Sequence, residues 1–349
     1  MKISVVIAYH DEKQYIKDCL ASLAEQTFQD FEVILVCDGC EAPEEGIPEK
    51  LNIVTVMQEE KGVAGARNAG IEKAQGEYVL FLDSDDYLPD ASVMQRYVRM
   101  AEQTDADIVV ANYARLWNGK MLPAVSHASF SRYHRDSQEF QFRGFFSAGT
   151  LSYVWGKLYR RSFLEKNQIR FAKYDYAEDK FFNMQCYLCR AKYIFLSRIG
   201  YIYRKNETSI SSRYRANSSE CWIAMARDLK EWMSDHEIQM ESCEELVWYL
   251  IFFAIFFDAK MEYVQNRHSL RAVVKLLKEY QTDRLVNETF IRLTHNFYTG
   301  KLSSRFWKIM IKGFCIAMRL HLYYGLAIGI KLLIDIRVDE RLSDTGLRE

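Results

Sequence analysis

The sequence predicts an α/β protein: an open, mainly parallel sheet flanked by helices, followed by a mostly helical C-terminal region. Short runs rich in β-branched and apolar residues recur at 3–8, 32–37, 53–57, 78–82 and 108–111, with amphipathic stretches between several of them. That alternation is the pattern of parallel strands joined by helical crossovers. From Glu220 onward, segments such as 221–233 and 244–263 are dense in apolar and aromatic residues over lengths that suit helices.

Each element has its own reason. The opening run Ile3-Ser4-Val5-Val6-Ile7 is strand-forming by composition. Tyr15, Ile16, Cys19, Leu20 and Leu23 then fall at i, i+1, i+4, i+5 and i+8, which marks one face of a helix laid on the sheet. A later helix is expected to start near Arg67, to carry Ile71 and Ala74, and to be stopped by Gly76. Residues 117–149 lack clear periodicity, apart from Asn118-Gly119, a pair suited to closing a hairpin. We expect a first domain over 1–215, in halves of 1–115 and 116–215, and a helical region over 216–349.

With 349 residues and 49% hydrophobic content, the chain has ample material for a buried core. A formal net charge of −1 shows no global basic excess and does not suggest wholesale nucleic-acid binding. The apolar opening run is interrupted by Asp11-Glu12 and does not read as a signal peptide, so the eight cysteines point to a reducing cytoplasm. Cys37 with Cys40, and Cys186 with Cys189, have Cys-x-x-Cys spacing; a shared zinc site is one reading, and small buried hydrophobes the preferred one.

The strand-like run Tyr78-Val79-Leu80-Phe81-Leu82 ends in Asp83-Ser84-Asp85-Asp86. Three carboxylates this close repel one another unless a cation or a set of donors compensates. A hard divalent ion, completed by substrate phosphates, is the economical explanation. In an open sheet, ligands sit beyond the carboxyl ends of the strands, where Ala8, Asp38 and Asp83 to Asp86 come together.

The flanking motifs extend this. Ile3-Ser4-Val5-Val6-Ile7-Ala8-Tyr9-His10-Asp11-Glu12, Ala66-Arg67-Asn68-Ala69-Gly70, Phe81-Leu82-Asp83-Ser84-Asp85-Asp86, Trp155-Gly156-Lys157, Glu178-Asp179 and Tyr201-Ile202-Tyr203-Arg204 occur in that order. The set resembles the family 2 glycosyltransferases of the GT-A type, over about the first two thirds of the chain. The resemblance implies an inverting transfer of one sugar from a nucleotide diphosphate sugar, most simply a UDP-sugar, to a hydroxyl of a saccharide or lipid-linked acceptor in surface polysaccharide assembly. It implies that Asp85 binds Mn2+ or Mg2+ directly, that Asp83 reaches the ribose or the metal, and that Asp86, with Ser84 beside it, meets the donor sugar. Asp179 is implied as the base, with Glu178 assisting or binding the acceptor. Asp38 is the implied partner of a uracil N–H, Ala8, Tyr9 and Asp11 line the nucleotide, Arg67 meets the nucleotide or its phosphates, and Trp155 stacks on a sugar. Residues 117–149 become the variable region facing the acceptor, and the polar stretch 209–212 a lid. The chain departs from the family pattern at Cys37, where a carboxylate is usual, at Ala8, where proline is frequent, and at Asp11, where asparagine is frequent.

Two other functions compete. A sugar-phosphate nucleotidyltransferase would also use carboxylates and a metal, but Ala8 to Tyr15 contains no glycine for a phosphate loop. A non-catalytic nucleotide-sugar-binding membrane scaffold is the third reading. The tail bears on it: between Thr289 and Ile334 there is no Asp or Glu, while Arg292, Lys301, Arg305, Lys308, Lys312, Arg319 and Lys331 are basic. Residues 313–330 are apolar, yet Arg319 and His321 near the middle argue against a span. Two readings of this region stand: a helix at an anionic membrane surface, at the inner face of the cell membrane, or a helical subdomain that packs on the catalytic domain or self-associates.

Overall fold

The computed structural model of the chain describes residues 1–58, 62–205, 218–238 and 243–336. The strands are β1 (Ile3–Tyr9), β2 (Phe31–Asp38), β3 (Ile53–Gln58), β4 (Tyr78–Phe81), β5 (Ile108–Trp117), β6 (Lys120–Val125), β7 (Lys157–Arg160) and β8 (Tyr193–Arg204). The helices are α1 (Lys13–Ala24), α2 (Val63–Lys73), α3 (Val93–Thr104), α4 (Gln138–Phe142), α5 (Arg161–Lys166), α6 (Glu178–Leu188), α7 (Ser218–Asp235), α8 (Glu244–Gln265), α9 (Leu270–Tyr280), α10 (Arg284–Thr294), α11 (Asn296–Thr299), α12 (Arg305–Arg319) and α13 (Tyr323–Asp335). They form two compact units, Met1–Arg132 with Tyr153–Ser212, and Tyr133–Ser152 with Arg213–Glu349.

The first unit is built on a mixed sheet in the order β3-β2-β1-β4-β7-β5-β6, with β8 also paired to β5. β1 pairs in parallel with β2 and β4, and β2 with β3; β7 runs antiparallel between β4 and β5. β1 and β2 are buried almost throughout, as expected of central strands covered on both faces. Helix α1 presents Ile16, Cys19, Leu20 and Leu23 to the core, the face anticipated from their spacing. Asn118 and Gly119, both at positive φ, join β5 to β6 as a two-residue hairpin turn.

Two sequence expectations need correction. Helix α2 begins at Val63, a turn before Arg67, because Gly62 reaches φ 139°, a conformation glycine adopts freely, and its N–H is received by the Asp38 carboxylate at 2.8 and 3.0 Å. Gly76 does not stop that helix, which ends at Lys73. A β-carbon at Gly76 would lie 2.5 Å from the Ser4 backbone nitrogen, so the residue is glycine to let the chain pass close to β1.

The second unit gathers around α8, whose 22 residues are buried along most of their length, as an all-round apolar helix must be. Phe142 and Phe146 pack on Tyr249 and Phe253, and Phe142 and Phe253 on Trp307 of α12. Ser303 donates to the Glu139 carboxylate through both its N–H and its hydroxyl. These contacts draw residues 133–152 into the helical unit, although they lie inside the 116–215 half anticipated from chain order. The stretch 313–330 is two helices, broken where His321 takes a positive φ. Among the described residues no helix is long and apolar enough to cross a membrane. Residues 209–212, the anticipated lid, lie outside the described residues.

Candidate active site

The site is organised by one guanidinium. Arg67 projects from α2 into the first unit and is buried. Its Nη1 donates to Glu178 Oε1 at 2.9 Å and to Asp179 Oδ1 at 2.6 Å, and its Nη2 to Asp83 Oδ1 at 2.9 Å. The planar fork suits such multiple carboxylate bonds, which a lysine could not reproduce. The three acids come from distant parts of the chain, Asp83 from just beyond β4 and the other two from the first turn of α6, where the helix dipole favours negative charge. Asn68, next in the motif, pins the facing segment by exchanging two 2.9 Å bonds with the Phe171 backbone.

Asp179 is the chemically distinctive group. Burial, with Glu178 and Asp83 nearby, outweighs the attraction of Arg67 and lifts its carboxyl up to about 7. Its Oδ2 accepts the Val154 N–H at 3.1 Å, so protein donors occupy both oxygens while each keeps a lone pair for a proton. Asn183 supports this turn by donating to the Asp179 carbonyl at 3.0 Å, and Tyr159 in turn donates to Asn183.

Around the ends of β1 and β2, the predicted nucleotide residues lie together but in different states. Ala8 is aligned with Val36, and Tyr9 is buried with its carbonyl receiving the Cys40 thiol at 3.3 Å. Asp11 is exposed, at φ 67°, with Lys13 3.3 Å away. Asp38 holds Gly62 by its side chain, and its carbonyl lies 2.7 Å from His10 Nδ1. Sequence reasoning passed over Glu12: its carboxylate accepts the His10 N–H and the Ser84 hydroxyl, tying the end of β1 to the aspartate turn.

Asp86 is fully buried. Tyr201 donates its hydroxyl to Asp86 Oδ2 and Arg204 its backbone N–H to Oδ1, each at 2.6 Å. Burial, then Asp85 and Asp83, push its carboxyl well above the usual range. The side chain therefore braces the turn against β8. Trp155 lies near-parallel to Tyr153, Tyr201 and Tyr203, with ring centroids 3.9 to 5.5 Å away, so its stacking contacts are made within the protein. Beneath it Lys157 is fully buried, its ammonium 3.8 Å over the Tyr153 ring and pulled well down by desolvation. Tyr153 also meets His127 Nε2 at 2.5 Å, and burial holds that imidazole neutral, down to about 3. Lys157 belongs to the Trp155-Gly156-Lys157 motif, the one sequence signal that marks it.

The residues suit a divalent ion only in part. Among the described residues no group of three or more His, Cys, Asp or Glu is arranged to hold a metal ion. Asp83 and Asp85 nevertheless offer hard oxygens, and their charges add, after burial, to the upward push on the Asp86 carboxyl. Two carboxylates with the remaining ligands from phosphates is the arrangement Mg2+ and Mn2+ favour in diphosphate chemistry. The donor set fits an ion that substrate completes.

A family model, Glycosyl transferase family 2, matches residues 4–167. Over these residues the chain carries a family 2 glycosyltransferase domain. This glycosyltransferase is 27% identical over 259 residues to EpsH of Bacillus subtilis, covering 71% of this chain and 74% of EpsH. It is 30% identical over 227 residues to the glycosyltransferase GlyA of Streptococcus pneumoniae, covering 60% of this chain and 31% of GlyA. It is 30% identical over 226 residues to TarS of Staphylococcus aureus, a poly(ribitol-phosphate) β-N-acetylglucosaminyltransferase, covering 61% of this chain and 38% of TarS. The crystal structure of S. aureus TarS 1–349 in complex with UDP-GlcNAc superposes with TM-score 0.62 at 22% identity, over 92% of each chain. The glycosyltransferase thus has the GT-A fold that its motifs led us to expect.

Proposed function

We propose that this glycosyltransferase moves a single sugar from a UDP-sugar to a hydroxyl of a saccharide or lipid-linked acceptor in surface polysaccharide assembly, with inversion at the anomeric carbon. The observation that carries this reading is the buried Arg67 fork holding Asp83, Glu178 and Asp179 in one constellation. The name of TarS and its structure with UDP-GlcNAc favour the donor class and the setting. The place of work is the cytoplasm.

Asp179 accepts the proton of the acceptor hydroxyl as its oxygen attacks the anomeric carbon, and the bond from that carbon to the diphosphate breaks. One displacement from the face opposite the leaving group inverts the centre. Arg67 keeps Asp179 in place during this step, and Glu178 is the second acceptor-facing carboxylate. Asp83 and Asp85 would hold a Mn2+ or Mg2+ ion, which would supply Lewis-acid neutralisation of the departing diphosphate. Asp38, Ala8, Tyr9 and Asp11 bound the nucleotide, and Ser84 orders the aspartate turn through Glu12.

The test is UDP release from a panel of UDP-sugars with Mn2+, with chelator, and in Asp85→Asn. Turnover should fall by at least about a hundredfold on chelation and in the variant. Turnover indifferent to both would remove the metal from the account.

A further inference from the structure

The second unit carries a surface feature that sugar transfer does not use. On α12 and at its C-cap the large exposed apolar residues are Phe306, Ile309, Ile316 and Leu320, with Ile309 73% exposed. The last three fall at i, i+7 and i+11, on one face. The face turned to the unit's interior is separate and holds Trp307, Ile311, Phe314, Cys315 and Met318. After the turn, where Leu322 is exposed, Tyr324, Ile328 and Leu332 of α13 and Ile336 at its C-cap repeat at every fourth residue, again away from the buried Ala327 and Ile330. Aligned large apolar residues on each of two successive helices mark an interaction surface, since scattered exposed hydrophobes do not align this way.

Charge decides the occupant. Arg305, Lys308, Lys312 and Arg319 lie at i, i+3, i+7 and i+14, a row along one flank of the α12 stripe. Among the described residues none of the four is in an ion pair with a carboxylate: Lys312 donates to Asn296, and Arg319 to Thr294. Lys331 on α13 pairs with Asp335 and is left out of the count. No Asp or Glu occurs between Thr289 and Ile334, so the same face of a second copy would bring only more cations. Large apolar side chains beside unneutralised cations match the interface of an anionic bilayer, where alkyl and aromatic groups enter the acyl boundary and Lys and Arg meet lipid phosphates.

We propose that α12 and α13 form a membrane-docking face that seats the protein on anionic phospholipid, independently of which sugar is moved. The experiment is flotation of the full chain with vesicles of phosphatidylcholine alone or mixed with phosphatidylglycerol, at low and high salt, alongside its sedimentation without lipid. One variant replaces Arg305, Lys308, Lys312 and Arg319 with glutamine, and a second carries Ile309→Ser, Leu320→Ser and Ile328→Ser. The parent should float with the anionic vesicles only, and less at high salt. Both variants should lose binding at least about tenfold while keeping the parent's UDP affinity, which shows them folded. Equal flotation with both vesicle types, or no flotation together with a dimer that the serine variant dissociates, overturns the proposal. Should the serine variant fail to fold, the glutamine variant and the salt series still decide.

Discussion

Arg67 sets the state of its neighbours because one buried, delocalised cation is divided among three partly buried acids. Removing it leaves those carboxylates uncompensated, a loss that typically costs about 3–5 kcal/mol. Arg67→Met should lower the thermal midpoint by roughly 10 °C and abolish transfer, while Arg67→Lys, which keeps charge without the fork, should fall between. An unchanged midpoint in Arg67→Met, followed by circular dichroism, would show the clamp to be weak. Asp179 gives a second handle. Its carboxyl is raised to about 7, and the base form is the ionised one, so kcat/KM should climb as pH passes upward through about 7 and level off above it. A profile flat between mildly acidic and neutral pH would assign the proton to another group.

The elements meet through glycine and asparagine as much as through apolar faces. Gly76 lets the chain pass β1 where a side chain would strike the Ser4 backbone. Gly76→Ala should therefore cost about 1–3 kcal/mol by overpacking, read as a shift of the urea midpoint; stability equal to the parent's would mean the strand yields without strain. How far these elements were legible in the sequence follows from what each depends on. Ile16, Cys19, Leu20 and Leu23 announced their helix, and Asn118-Gly119 its hairpin, because spacing and turn chemistry are local. The four residues of β7 gave little periodicity to read. The start of α2 was misplaced because it depends on Gly62 and on Asp38, which lies 24 residues earlier. The aromatic residues of 138–147 show no pattern by themselves, and only Tyr249, Phe253 and Trp307 reveal what they pack on. At the site, the aspartate run was plain as a cluster, yet the partners of Arg67, up to 112 residues away, are set by strand order and helix placement. The bracing of Asp86 by Tyr201 and the tie from Glu12 to Ser84 were hidden for the same reason.

Taken whole, the molecule divides its tasks between two units. The first holds the acids, the aromatic wall of Trp155 and the strand ends proposed to receive a nucleotide, and the second carries the cationic, apolar surface of α12 and α13. The central claim is that a carboxylate held by Arg67 takes the acceptor's proton. It is tested most directly in Asp179→Asn, which keeps size and hydrogen bonding but removes the base, by measuring transfer from a UDP-sugar beside calorimetric UDP affinity. Transfer should fall by about 10²–10⁴ with UDP affinity unchanged within about threefold. Transfer that survives at the parent's rate, with UDP bound equally well, contradicts the account.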